Sequence, residues 1–246
     1  MLEQVKQFLV LIFTSGVIFV NYISERGLIN GITLETISDK YLTLITPASY
    51  AFSGWRILSL ILVIFTCFQF LPTTRDTLSK IRVLFILACL ANILTIYAWH
   101  FGFFWVSLIP ILVALFALAK INTKDETKQS PSEFWFEKVP MSIFFAWTSL
   151  LFILNLSVII VSFGIETSRT SSFVFASAVI IAVATVGIVI RHKISTFAYT
   201  LTIAWGITAT AVKQTGKTAI IVVCVLCVIA LLISTLSFFV QDHETA

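Results

Sequence analysis

The chemically distinctive residues of this chain are aromatic and amide side chains set inside apolar runs. The sharpest group is TPASYAFSGWRI, residues 46–57. Pro47 is placed to open a helix, where its missing N–H costs nothing. Tyr50, Phe52 and Trp55 then fall in the first two turns, and residues 48, 52 and 55 share a face. Such a helix suits the aromatic mouth of a ligand pocket, or equally an aromatic belt at a membrane surface. Arg56 stands about nine residues inside this run, roughly 13 Å along a helix by rise. A charge at that depth must be paired or must snorkel to the headgroups. Glu25, Glu35 and Asp39 in the preceding loop are carboxylates within reach of such a pairing, and an anionic ligand group is the alternative.

A second group is Asn92, Thr95, Tyr97 and Trp99, followed by His100 in a very short turn. Asn92, Ile96 and Trp99 lie along one face, and a buried Asn bonds between helices. A turn histidine faces solvent on this reading, with an axial contact to a metal or tetrapyrrole as the alternative. The other histidines, His192 and His243, lie too far off for a multi-histidine metal site. In the third group, Pro140 opens a run in which Trp147, Leu151 and Asn155 are spaced by four. That makes an apolar stripe with a polar stop at its end.

Other chemistries find no residues. No paired carboxylates lie within the apolar runs, and no Ser–His–Asp arrangement is evident, so no catalytic residue is assigned. The GKT at 216–218 is not a phosphate loop, because position 211 is Ala where that pattern needs Gly. The four cysteines, Cys67, Cys89, Cys224 and Cys227, all sit in apolar runs and read as small hydrophobes. No metal ligands are assigned. NLS at Asn155 resembles a glycosylation acceptor but lies within the membrane.

The elements that must position these residues are eight apolar runs. Of the 246 residues 59% are hydrophobic and 11% charged, about half the charge of a soluble domain. Runs of roughly 18 to 25 apolar residues cross about 30 Å of hydrocarbon as helices. The expected spans are about 5–23, 48–71, 81–99, 101–119, 139–163, 172–190, 194–212 and 217–240. The fold class is therefore all-α, a polytopic transmembrane bundle of about eight helices. The first span resembles a signal peptide but lacks a small-x-small cleavage site, so it is read as retained. Polar loops at 24–46 and 120–138 are too short for a soluble domain. Phe134, Trp135 and Phe136 are placed as interfacial anchors.

Cations set the orientation. Lys6, Arg75, Lys80, Arg82, Lys120, Lys124, Lys128, Lys138, Arg191 and Lys193 fall on one side. Arg26, Lys40, Arg56, Arg169, Lys213 and Lys217 fall on the other. This places both termini in the cytoplasm of a cell membrane. The net charge of +4 is scattered over short loops, which excludes a nucleic-acid partner.

Taken together, Pro47, Phe52 and Trp55, then Asn92 with Trp99, then Pro140, Trp147, Asn155, Leu156 and Ser157, resemble the TspO/translocator-protein family, also called tryptophan-rich sensory proteins. The 24–46 loop matches that family in placement. The resemblance covers about the first 160 residues. It implies a five-helix unit over 1–163, with 164–246 as three additional spans and a short polar tail, as in a longer subgroup. It further implies a pocket beneath the 24–46 loop, between the first, second, third and fifth spans. That pocket would be lined by Tyr50, Phe52, Trp55, Asn92, Trp99 and Trp147, and would take a flat apolar ligand, a tetrapyrrole such as porphyrin or haem. No cofactor is required; porphyrin or haem enters as ligand. The partners implied are the bilayer, the small apolar ligand, and a homodimer or larger membrane complex. The chain departs from the family in carrying Thr95 in place of a Trp, Arg56 after the Trp of the second span, and no sterol-recognition motif. Four readings follow: a receptor or carrier, a transporter whose path includes Thr202, Thr208 and Thr210, an assembly subunit, and an enzyme that degrades porphyrin.

Overall fold

The structure is a computed structural model and describes residues 2–71, 78–123, 130–164 and 169–244. The cations Arg75, Lys124 and Lys128 lie outside the described residues, as does the side chain of Arg169.

Eight long helices form, each from one of the apolar runs. They are α1 Leu2–Glu25, α3 Gly54–Phe68, α4 Ser79–His100, α5 Phe104–Asn122, α7 Val139–Ser162, α8 Arg169–Ile194, α9 Phe197–Lys213 and α10 Thr218–Glu244. Two short helices complete the set, α2 Leu34–Lys40 and the single turn α6 Pro131–Glu133. Seven helices among the described residues are long and apolar enough to cross a membrane, α3 being counted with the 3-10 turn before it as Ser49–Phe68. The other long helix, α9, has 17 residues, which gives about 25 Å by rise.

Successive helices run up and down. One end of the bundle carries Gln7, Gln69, Phe134 and Phe238; we call it the terminal end. The other carries Ser24, His100 and the 26–48 loop, and is the loop end. In α1, α3, α4, α5 and α7 the chain packs as neighbours, and α8, α9 and α10 pack on one another. The joint between them is α7 against α9. Gly206 makes that approach possible, since a Cβ there would stand 2.6 Å from Leu150 Cδ1. Ser149 Oγ and Tyr199 Oη hydrogen-bond across the same joint at 2.9 Å.

Several polar groups inside the bundle are tied between helices, which satisfies them where hydrocarbon cannot. Thr14 and Thr66 bond at 2.9 Å between α1 and α3. At the terminal end Arg82 is fully buried. Its Nε donates to Gln69 Oε1 at 2.9 Å, and its Nη1 to Glu3 Oε2 at 2.9 Å. A guanidinium can be buried because such bonds satisfy its fixed fork of donors.

Several expectations change. The second span does not begin as an α-helix at Pro47. Pro47 lies before the helical run, Ala48 is extended, a 3-10 turn covers Ser49–Ser53, and α3 starts only at Gly54. Arg56 sits in the first turn of α3 and is the eighth residue of the helical span Ser49–Phe68. Its side chain is 75% exposed and its Nε reaches Glu25 Oε2 at 3.3 Å. His100 does not face solvent. It ends α4, 1% exposed; Nδ1 bonds the Ile96 carbonyl at 2.8 Å and Nε2 lies 3.1 Å from Ser24 Oγ. The FWFEK segment is a π-helical turn that buries Glu137 and Lys138. Phe134 stacks on Phe238 at 6.0 Å, while Trp135 and Phe136 stay exposed. The 24–46 loop contains α2, whose first turn is capped by Thr33.

Candidate ligand cleft

Four tryptophans and a phenylalanine organise the middle of the loop half. Trp55 on α3 and Trp147 on α7 meet edge to face, with ring centroids 5.5 Å apart at 67°. Gly54 lets them approach: a Cβ there would stand 2.6 Å from Trp147 Cζ3 and 3.4 Å from Trp205 Cη2. Trp99 on α4 packs edge to face on Phe104 at 5.8 Å. Its Nε1 donates to Asn155 Oδ1 at 2.7 Å. The same oxygen accepts from Ser107 Oγ at 3.0 Å, and Asn155 Nδ2 donates to the Phe104 carbonyl at 3.2 Å. This amide is completely buried and ties α4, α5 and α7 together.

Two spaces flank the tryptophans. Beneath α2, between Leu34, Trp55, Thr95, Trp99 and Leu151, lies a void of about 10 Å³. That is at or below the size of one water. On the other side of Phe52 and Leu151 lies a cleft of about 90 Å³ between the 45–52 segment, α7, α8 and α9. Its walls include Pro47, Phe52, Trp147, Val183, Trp205 and Gly206. Phe52 and Leu151 line both spaces.

Two indole donors beside these spaces have no partner. Nε1 of Trp55 and Nε1 of Trp147 are both buried and without a hydrogen bond. Buried N–H groups without partners are rare and costly. Thr202 and Thr210 also line the cleft, but their hydroxyls already donate, Thr202 to the Ala198 carbonyl at 2.8 Å and Thr210 to the Gly206 carbonyl at 3.2 Å. Thr208 is exposed away from it.

The 39–48 segment, of which Ile45 and Pro47 line the cleft, is fastened to α9. Ala48 N–H donates to the Ala209 carbonyl at 2.9 Å. The Thr210 hydroxyl is shared between the Gly206 and Ile45 carbonyls at 3.2 and 3.3 Å, and Gln214 Nε2 donates to the Thr43 carbonyl at 3.0 Å. Lys213 Nζ pairs with Asp39 Oδ1 at 2.7 Å.

The residues singled out from the sequence separate into three sets. Pro47, Phe52 and Trp147 line the cleft; Phe52, Trp55 and Trp99 line the void. Asn155 ties α7 to α4 and α5 and lines neither space. Tyr50 is 43% exposed and Arg56 faces outward. Asn92 is buried with Oδ1 unpartnered, and lines neither space. Sequence reasoning missed Gly54, Trp205 and Gly206. The adjacent Trp205–Gly206 pair, a large ring beside a residue without a side chain, was the available signal in an otherwise uniform span. Among the described residues no cluster of His, Cys, Asp and Glu could hold a metal.

A family model described as TSPO-like protein matches residues 7–237, from α1 into α10. No curated protein and no solved structure matches the chain.

Proposed function

Because the chain belongs to the TSPO-like family, which its match over residues 7–237 establishes, we propose that it is a membrane receptor or carrier for a flat apolar ligand. The membrane setting itself rests on the seven spans. The ligand class is a tetrapyrrole, porphyrin or haem, or a molecule of like shape. Its seat is the aromatic cleft around Trp147, reached by displacing the 45–52 segment.

The observation that carries this reading is the pair of unpartnered indole donors in ring contact, Trp147 lining the cleft and Trp55 the neighbouring void. An occupant with a hydrogen-bond acceptor would relieve their cost, about 1–3 kcal/mol for each buried donor left unsatisfied. The cleft as it stands, about 90 Å³, falls short of the roughly 300–1,000 Å³ of small-molecule sites. Binding on this reading is therefore coupled to opening. The latch between 39–48 and α9 is the part that must give. Both termini lie at one end of the bundle, and we place that end in the cytoplasm of a cell membrane from the excess of loop cations there.

The test is a titration of the detergent-purified protein with protoporphyrin and with haem, read by quenching of tryptophan fluorescence. Saturable quenching, weakened about tenfold in Trp147→Phe through loss of one donor in an apolar site, is the expected result. Absence of saturable quenching, or affinity unchanged in both Trp147→Phe and Trp55→Phe, would remove the proposed seat.

A further inference from the structure

The partition between the void and the cleft is made by two side chains, Phe52 and Leu151, which line both spaces. They are held differently. Leu151 stands inside α7, where the helical hydrogen bonds fix its backbone. Phe52 stands in the 3-10 turn Ser49–Ser53, before α3 begins, and the bonds of such turns are poorer. Its ring is half-buried and packs on the small apolar cluster that contains Leu34 and Trp99. Of the two, Phe52 is the one free to leave. The tryptophans are divided by the same partition. Trp55 and Trp99 line the void, Trp147 and Trp205 the cleft. Yet Trp55 and Trp147 are in ring contact at 5.5 Å, and each has a buried indole N–H without a partner. The void, about 10 Å³, admits nothing larger than one water. A molecule seated in the cleft alone meets Trp147 and leaves Trp55 unserved.

We propose that the void and the cleft are two lobes of one site, and that Phe52 is the plug a ligand displaces to join them. This rests on the reading of the cleft as the ligand seat, and adds the residue that gates it and the lobe beyond. With Phe52 withdrawn, Trp99, Trp55, Trp147 and Trp205 line one slot running from α4 to α9. Such a slot takes an extended planar molecule, because aromatic faces and edges pack on flat π-systems. The threonine hydroxyls along it already donate to backbone carbonyls, Thr95 to Ala91, Thr202 to Ala198 and Thr210 to Gly206. What the slot offers an acceptor is therefore the indole N–H groups, and the ligand's acceptor belongs near the Trp55–Trp147 contact. Phe52 then acts against binding. While the plug is closed only the minor, open form is competent, and apparent affinity falls by the open fraction. For an open form populated at about one-tenth or less, removing the plug tightens binding about tenfold or more. A ring that only walled the cleft has the opposite sign, since its loss removes contacts with the ligand.

The experiment is equilibrium and stopped-flow quenching of the full chain in detergent with protoporphyrin. Phe52→Ala should bind about tenfold tighter and associate faster. Phe52→Leu should shift both quantities in the same direction by less. Gel filtration and circular dichroism identify any variant that misfolds, and the milder Phe52→Leu keeps the test open if Phe52→Ala does. Trp55→Phe should weaken binding about as much as Trp147→Phe, because the ligand reaches both donors. Unchanged or weaker binding by the folded Phe52 variants would make the ring a wall and overturn the plug. Affinity unchanged in Trp55→Phe but reduced in Trp147→Phe would confine the ligand to the cleft, overturning the second lobe and leaving the seat in place. No saturable quenching by the unmodified chain or by either Phe52 variant would remove the seat itself, and the joined site with it.

Discussion

At Gly54 the two effects of adding a methyl group oppose each other. In a helix interior alanine is favoured over glycine by about 1 kcal/mol. Here the added Cβ would lie 2.6 Å from Trp147 Cζ3, and overpacking costs about 1–3 kcal/mol. Trp147 cannot retreat toward Trp55, already in ring contact, so it must move into the cleft. Gly54→Ala should therefore melt at a lower temperature in detergent and quench more weakly with porphyrin. A higher melting temperature with unchanged quenching would mean that the rings yield freely. At Asn155 the outcome depends on which partner is left alone. Asn155→Leu strands the Trp99 indole N–H, while Ser107 keeps its 2.7 Å bond to the Phe104 carbonyl, and should cost about 1–3 kcal/mol for the orphaned donor. Trp99→Phe removes a donor but leaves Asn155 its bond to Ser107. The double variant should be less damaged than the sum, by about 0.5–3 kcal/mol, measured by denaturant unfolding in micelles. Strict additivity would show that the amide and the indole do not act as a pair.

At the scale of elements, the 39–48 segment is fastened to α9 beside the cleft. Its contacts differ in weight. The Lys213–Asp39 pair is partly exposed, 25% and 44% for its two side chains, and such pairs contribute about 0–1 kcal/mol. Gln214 is 3% exposed and satisfies the Thr43 carbonyl, so its loss leaves a part-buried acceptor unpaired. Gln214→Leu should speed hydrogen exchange across residues 41–48 with no change in α4 or α5, and Lys213→Met should do much less. Equal, small effects would show that the backbone bond from Ala48 to Ala209 holds the segment by itself. The same element shows what the sequence could convey. The eight helices were legible because length and apolar content are local properties. The start of α3 was not, because the 3-10 turn at 49–53 follows a backbone bond to α9, far along the chain. The need of Arg56 for a carboxylate was legible, and Glu25 is the one it reaches. The aromatic contact of Trp55 with Trp147 was foreshadowed by residue type alone. The contribution of Trp205 was hidden, because spacing within one span does not reveal which neighbour it meets.

For the whole molecule, the central question is what α8, α9 and α10 add to the helices before them. In a bilayer the answer is not hydrophobic burial, since lipid tails solvate an apolar helix face as well as another helix does. What lipid cannot replace is the set of polar contacts across the joint: Ser149 with Tyr199, Ala48 with Ala209, and Thr43 with Gln214. Lipid also cannot replace the rigid wall that Trp205 and Gly206 give the cleft. A fragment ending at Gly164 should therefore insert and retain the Trp99–Asn155 bond, whose partners lie within it. It should lose the closed form of the 41–52 segment and with it saturable porphyrin quenching. Coexpression with residues 165–246 should restore both, because the contacts across the joint need no covalent link to form, and the halves should copurify. Quenching by the fragment alone at full-length affinity would place the ligand within α1 to α7 and leave the last three helices with no part in binding. Copurification without restored quenching would separate assembly from ligand binding and assign the joint to the former.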